Sequence, residues 1–332
     1  MSTQERYTFE ANQEKLTDQL VILTGVARSG TTILGKLLAS LNEIDYDYEP
    51  WFLAQVPVIE RARLIDSALA SELLEGNVHE LFTAHLLGRG LNVRPTDDSK
   101  IWNYKTEEEI KYRWNSLKSR DDAKNYAEKN HRRFAMKMVN LQPSYPFLYR
   151  TFPKMKLIHI LRNPLDVALS IQKKKWFSDH ALENVESLSI RKEVTLPSGK
   201  KKKLPWWVRP EDVEKFLGYS EFSRGLCCWR TLMEQEPASL SQAKAKANEN
   251  YFEVRYEELI SNPVKTLQNI CQYLGASFGV QTEALLATVD REKPVGKQEY
   301  PLADADKSEL ERVYQLMKQK RYKIPENYVA TV

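Results

Sequence analysis

Cysteine is scarce in this 332-residue chain: three residues, Cys227, Cys228 and Cys271, the first two adjacent. With no Cys-x-x-Cys pair and no Cys/His cluster, a structural zinc site and a disulfide framework are both excluded. Reduced, mostly buried thiols in a reducing compartment are expected. Long apolar runs are missing too. None approaches the roughly 18 residues of a membrane-spanning helix, and Met1 to Lys15 lacks the apolar core of a signal peptide. If the chain is complete, it is expected in the cytoplasm. Strong net charge is also absent: 49 Lys and Arg against 45 Asp and Glu leave +4, which does not call for a nucleic-acid partner. His79, His85, His131, His159 and His180 show no metal-ligand spacing. His159 lies in an apolar strand and reads as a satisfied core residue.

What is there is a regular alternation of short apolar runs and helical stripes. Hydrophobic residues make up 42% of the chain, enough for a substantial core, and one domain over 1–332 with an inserted flap at 185–215 is expected. Strands are predicted at Gln19–Val26, Arg133–Val139, Lys156–Leu161 and Tyr251–Tyr256, and a short strand or turn at Ile44–Tyr48. Helical spacing runs over Ile33–Leu41, Val56–Leu91, Pro146–Phe152 and Phe216–Glu234, and Thr106–Lys129 suits a solvated helix. Asn163-Pro164 opens a helix through Lys174, and Asn262-Pro263 opens one ending near Gly275. Arg191–Pro210 breaks the rhythm with Pro197-Ser198-Gly199, four lysines (Lys200 to Lys203) and Pro205-Trp206-Trp207, and reads as a hairpin or flap. Strands alternating with helices predict an α/β fold with a mainly parallel sheet covered on both faces.

The first motif, Gly25-Val-Ala-Arg28-Ser29-Gly30-Thr31-Thr32, joins the first strand to the first helix. Its glycines permit a tight turn, so that successive N–H groups face one anion at the helix N-terminus. Arg28 adds a fixed charge, and Thr31 and Thr32 add hydroxyls. The spacing mimics a Walker loop, but Thr31 stands where the phosphate-binding lysine belongs, which argues against a magnesium-dependent kinase or nucleoside triphosphatase. In the second motif, Arg162 lies at a strand exit, and Ser170 and Lys174 lie four residues apart on the next helix. These donors can converge on one phosphate. A capped helix with a solvated lysine face is an equally open reading.

These two motifs resemble the sulfotransferase superfamily, in the arginine-loop form of the tyrosylprotein and carbohydrate enzymes. The resemblance implies a P-loop-type three-layer fold, a central parallel sheet flanked by helices. It also implies transfer of a sulfuryl group from 3′-phosphoadenosine 5′-phosphosulfate (PAPS) to a hydroxyl, yielding PAP without a metal. Arg28, Ser29, Gly30, Thr31 and Thr32 would hold the 5′-phosphate and the sulfate, and Arg162, Ser170 and Lys174 the 3′-phosphate in a separate pocket. Asp166 is read as structural.

Glu49, 21 residues beyond Arg28 and partly shielded from water by Tyr48 and Trp51, is the candidate general base. Lys137, in an apolar strand where an unpaired ammonium is costly, matches the family lysine that contacts the transferring sulfate. Val139 stands where the cytosolic steroid and phenol enzymes carry a catalytic histidine, which favours Glu49 as base. Tyr256 is read as a nucleotide contact or a core tyrosine. Lys293 and Lys297 resemble a basic loop that closes over the phosphates, while Ala287 replaces the serine of the tyrosylprotein branch. The acceptor is expected to be a glycan, a glycolipid or a small molecule before a protein tyrosine. The segment Arg89–Arg94 and the flap are candidates for contacting it, with Trp206 and Trp207 either binding sugar or anchoring the flap. The rival from another class is a non-catalytic nucleotide- or glycan-binding protein.

Overall fold

The computed structural model describes residues 16–97, 99–184, 190–243, 249–290 and 299–325. Lys293 and Lys297 lie outside the described residues.

The first strand, β1 (Leu20–Gly25), is buried along its whole length. Its side chains alternate between two cores, Leu20 and Ile22 on one face, Val21 and Leu23 on the other. That period of two is what a strand covered on both sides requires. Around it, β2 (Ile44–Tyr48), β3 (Arg133–Lys137), β4 (Lys156–Leu161) and β7 (Tyr251–Arg255) form a five-stranded sheet in the order β2-β3-β1-β4-β7. Every pairing in it is parallel. One face carries α1 (Thr31–Ala39) and the helix Pro263–Leu274. The other carries α3 (Ser67–Leu86), α5 (Arg120–Lys129) and α6 (Tyr145–Thr151). The expected α/β architecture, a parallel sheet between helical layers, is the one observed.

Two long helical stretches, one expected from apolar spacing and one from its charge, are each broken in two. The stretch Val56–Leu91 is α2 (Phe52–Arg61) followed by α3, because Arg63 takes a left-handed φ of 58° and Asp66 caps the N–H groups of Ala68 and Leu69. Likewise Thr106–Lys129 is α4 (Glu107–Ser116) and then α5, divided by a capping box at Ser119 and Asp122. Nor is α4 merely solvated. Its Arg113 is fully buried, and Nη1 donates to Asp45 of β2 at 2.6 Å while Arg132 Nε donates to the other oxygen at 2.9 Å. Burial pushes the Asp45 carboxyl up, but the two guanidiniums outweigh it and hold the group well below the carboxylate range. Removing one partner of such a buried pair costs about 3–5 kcal/mol. This clamp fixes the strand that ends one residue before Glu49.

The break in rhythm after residue 190 is an antiparallel hairpin, β5 (Arg191–Thr195) and β6 (Lys201–Pro205). Its base is pinned by Trp207, buried edge-on against Phe177 and Phe216 at 5.4 and 5.6 Å between ring centroids. Trp206 lies under the guanidinium of Arg61 at 4.6 Å. Of the two readings of these tryptophans, the contacts are those of an anchor. His159 is likewise a satisfied core residue: its Nδ1 lies 2.8 Å from the Tyr251 hydroxyl and against Glu236. Among the described residues, His159, Glu236 and Glu253 converge as metal ligands would. The Lys320 ammonium already pairs with both carboxylates.

Candidate active site

In a parallel sheet all strands end at the same edge, and a ligand crevice opens where neighbouring strands send their chains to opposite sides. Here that place lies between β1, whose chain goes on to β2, and β4, whose chain goes on to β7. The catalytic and donor-binding candidates described in the structure all come from carboxyl ends of this sheet or the segments after them. Arg28 to Thr32 follow β1, Glu49 follows β2, Lys137 ends β3, Arg162 to Lys174 follow β4, and Tyr256 follows β7.

The β1 loop is shaped by its neighbours. Arg28 and Gly30 both take left-handed backbone, φ 72° and 96°. A Cβ on Gly30 would stand 2.3 Å from the ring of Tyr256, so only glycine fits. Tyr256 is a core residue packed beneath the loop, with the Arg162 guanidinium 4.2 Å above its ring centroid. From the other side, Asn140 ties the loop to β3: its side-chain oxygen accepts the Ala27 N–H at 2.9 Å, and its own N–H donates to Gly25 O at 2.9 Å. Sequence reasoning missed Asn140. Its signal is an asparagine three residues past Lys137, and β3 stops at Lys137 rather than Val139 to let it turn with φ 63°.

Three donors gather at the mouth between β1 and β4. Arg28 Nε donates to Ser170 Oγ at 3.0 Å, and Arg162 Nη1 donates to the Arg28 carbonyl at 2.9 Å. Lys174 is exposed at the end of α7 (Pro164–Lys173), past Ser170 on the same helix. The two anion clusters expected as separate pockets are therefore contiguous, because Arg28 reaches sideways to α7. Asp166 approaches Arg162 at 3.9 Å and accepts from the Tyr300 hydroxyl at 2.8 Å, a bracing role. Thr31 is buried at the start of α1 and Thr32 is exposed. The N-cap, Gly30, offers α1 no side-chain cap, so the N–H groups of its first turn are left to other acceptors.

On the β2–β3 side the geometry is tighter. Lys137, 1% exposed, donates to Glu49 Oε1 at 2.5 Å, and its ammonium sits 3.8 Å from the centroid of the Tyr48 ring. Glu49 also takes left-handed backbone, φ 55°, with its N–H bound to Lys137 O at 3.0 Å. Such a conformation costs a non-glycine residue roughly 1–2 kcal/mol, and here it aims the carboxylate at the lysine. Glu49 is partly buried, its side chain 31% exposed, and it pairs with an ammonium. Arg89 and Arg94 lie in the exposed loop after α3.

At the mouth between β1 and β4, two donors, the Ser29 hydroxyl and the Arg162 Nε, are among the buried polar atoms left without a hydrogen-bond partner among the described residues. Each such omission costs about 1–3 kcal/mol. One stands in each cluster, and both fit oxyanions. The model of the sulfotransferase domain family matches residues 18–294.

The chain belongs to the sulfotransferase domain family.

The match spans all five strands of the sheet and stops short of Lys297. Similar solved structures are sulfotransferases too. The sulfotransferase domain from the Synechococcus PCC 7002 olefin synthase is 18% identical over 96% of this chain and 100% of that one, with a TM-score of 0.47. The domain from the curacin biosynthetic pathway is 17% identical over 92% and 98%, at 0.48. Sulfotransferase STF9 from Mycobacterium avium is 11% identical over 92% and 78%, at 0.47. A comparison with curated proteins found no match. Among the described residues no helix is long and apolar enough to cross a membrane.

Proposed function

We propose that this sulfotransferase-family chain transfers a sulfuryl group from PAPS to a hydroxyl acceptor. The observation that carries the reading is the pair of orphaned donors, Ser29 Oγ and Arg162 Nε, one in each half of a contiguous cationic mouth. Ser29, Gly30, Thr31 and Thr32 with the α1 N-terminus hold the 5′-phosphate. Arg162, Ser170 and Lys174 hold the 3′-phosphate, and Arg28 lies between. No metal is required in this reading: Lys137 and Arg28 supply fixed charge where a phosphoryl-transfer enzyme would place magnesium.

Glu49 accepts the acceptor's hydroxyl proton as the hydroxyl oxygen forms its bond to sulfur. The bond from sulfur to the 5′-phosphate oxygen breaks, its electron pair stays on that phosphate, and PAP leaves. Lys137 is positioned to neutralise charge on the sulfuryl oxygens once its ammonium leaves Glu49. Residues 1–332 form one domain in this reading, with 185–215 an insertion. The acceptor favoured is a glycan, a glycolipid or a small molecule, with a protein tyrosine as the alternative.

Titration calorimetry with PAP and with adenosine 5′-phosphate tests the donor assignment. PAP should bind at least 10-fold more tightly, the worth of one or two charge-assisted hydrogen bonds to the 3′-phosphate at about 1.5–3 kcal/mol. Equal affinities would sink it. Sulfate-labelled PAPS offered with glycans, lipids and tyrosine peptides then identifies the acceptor.

A further inference from the structure

Trp176 has no role in the reading above, yet the chain bends sharply to put it in place. Helix α7 ends with the Lys175 N–H on Gln172 O at 2.8 Å and the Trp176 N–H on Ile171 O at 3.4 Å. That is the double bond pattern of a Schellman turn, whose left-handed position is usually glycine. Lys175 fills it at φ 54°. The turn folds Trp176 back over the β1 loop, where the Arg28 guanidinium lies 5.3 Å from its ring centroid. Arg28 is thus held on three sides: left-handed backbone, the Ser170 hydroxyl at 3.0 Å and the indole. The ring is still 43% exposed, so its burial does not account for the turn.

We infer that Trp176 is a positioning residue that keeps Arg28 on Ser170, so that the loop arginine serves the 3′-phosphate end of the donor in addition to its role at the sulfuryl group. A free arginine side chain samples many rotamers, and an aromatic face beneath the guanidinium removes most of them while leaving its N–H groups available. Neither ring nor hydroxyl neutralises the charge. The inference rests on the reading of Ser170 as part of the 3′-phosphate site.

The test compares affinities of PAP and adenosine 5′-phosphate in the wild type, Trp176→Leu and Trp176→Phe, with far-ultraviolet circular dichroism to confirm the fold. Trp176→Leu should weaken PAP about two- to five-fold, the worth of an exposed cation–π contact, and leave adenosine 5′-phosphate unchanged. Trp176→Phe, which keeps a ring, should restore most of the preference. If Trp176→Leu keeps the wild-type ratio, weakens both ligands equally, or is not rescued by phenylalanine, the inference is overturned. A wild type without preference for PAP overturns the donor assignment itself, and this inference with it.

Discussion

The two halves of the site solve the same problem in opposite ways. On the β2–β3 side a buried lysine is neutralised: Lys137 is paired with the Glu49 carboxylate and capped by the Tyr48 ring. On the β1–β4 side two arginines are held mainly by neutral groups, Arg28 by the Ser170 hydroxyl and Trp176, and Arg162 by a carbonyl and Tyr256. The difference follows from the kind of cation, since Arg162 is buried as well. An ammonium at the end of a buried strand needs a counter-charge because desolvation is costly. A guanidinium at a mouth can be fixed by hydroxyls, carbonyls and rings, whose dipoles orient it without cancelling its charge. In the proposed reaction the first side would release charge during transfer, and the second would receive an anion before it.

The sharpest way to break this comparison is Glu49→Gln. If the carboxylate acts in the chemical step, transfer from PAPS should fall by about 10²–10⁴-fold, the usual share of a general base, with PAP affinity within about threefold of wild type. Labelled-sulfate transfer and calorimetry on the same preparation decide it. A large loss of PAP affinity would mean that both halves serve binding, and the contrast would vanish.

Ser170→Ala probes the other half with a smaller effect. The hydroxyl sits on Arg28, so its loss should weaken PAP about 10-fold, within the range of a hydrogen bond to a charged group, and leave adenosine 5′-phosphate nearly unchanged. Equal weakening of both ligands would place Ser170 at the 5′ end instead.

Most of the site was legible in the sequence where a motif is local. Arg28 to Thr32 and Arg162 to Ser170 each span one strand exit and one helix start, so spacing shows that their donors can converge on an anion, and the resemblance implies which one. The Lys137–Glu49 pair was legible only as two separate candidates. The residues are 88 apart and meet because β2 and β3 are neighbours, with Tyr48 opposite Lys137. Spacing within one strand says nothing about which strand lies beside it. Asn140, Trp176 and the Asp45 clamp were not visible at all, since each acts through a contact between distant segments. The two helices overrun in the reading, 56–91 and 106–129, were broken by caps at Asp66 and Ser119, whose polar side chains lie within otherwise acceptable helical spacing.

The smallest effect concerns a carboxyl beneath the arginine half. Glu257 accepts the Asn163 N–H at 2.9 Å and the Tyr322 hydroxyl at 3.1 Å, bracing the turn from β4 into α7. Burial raises its pKa above the ordinary 4.5, against the pull of these donors and of Arg162. The folded chain therefore holds this proton more tightly than the unfolded one. Its contribution to stability is complete below pH 4.5 and is lost as pH rises through the raised value. Glu257→Gln mimics the protonated carboxyl at every pH, so its melting temperature should gain on that of the wild type as pH rises from 4.5. A difference that stays flat with pH would show that the carboxyl ionises as readily folded as unfolded. Glu257 would then be a counter-charge to Arg162, and the arginine half would be neutralised much as the lysine half is.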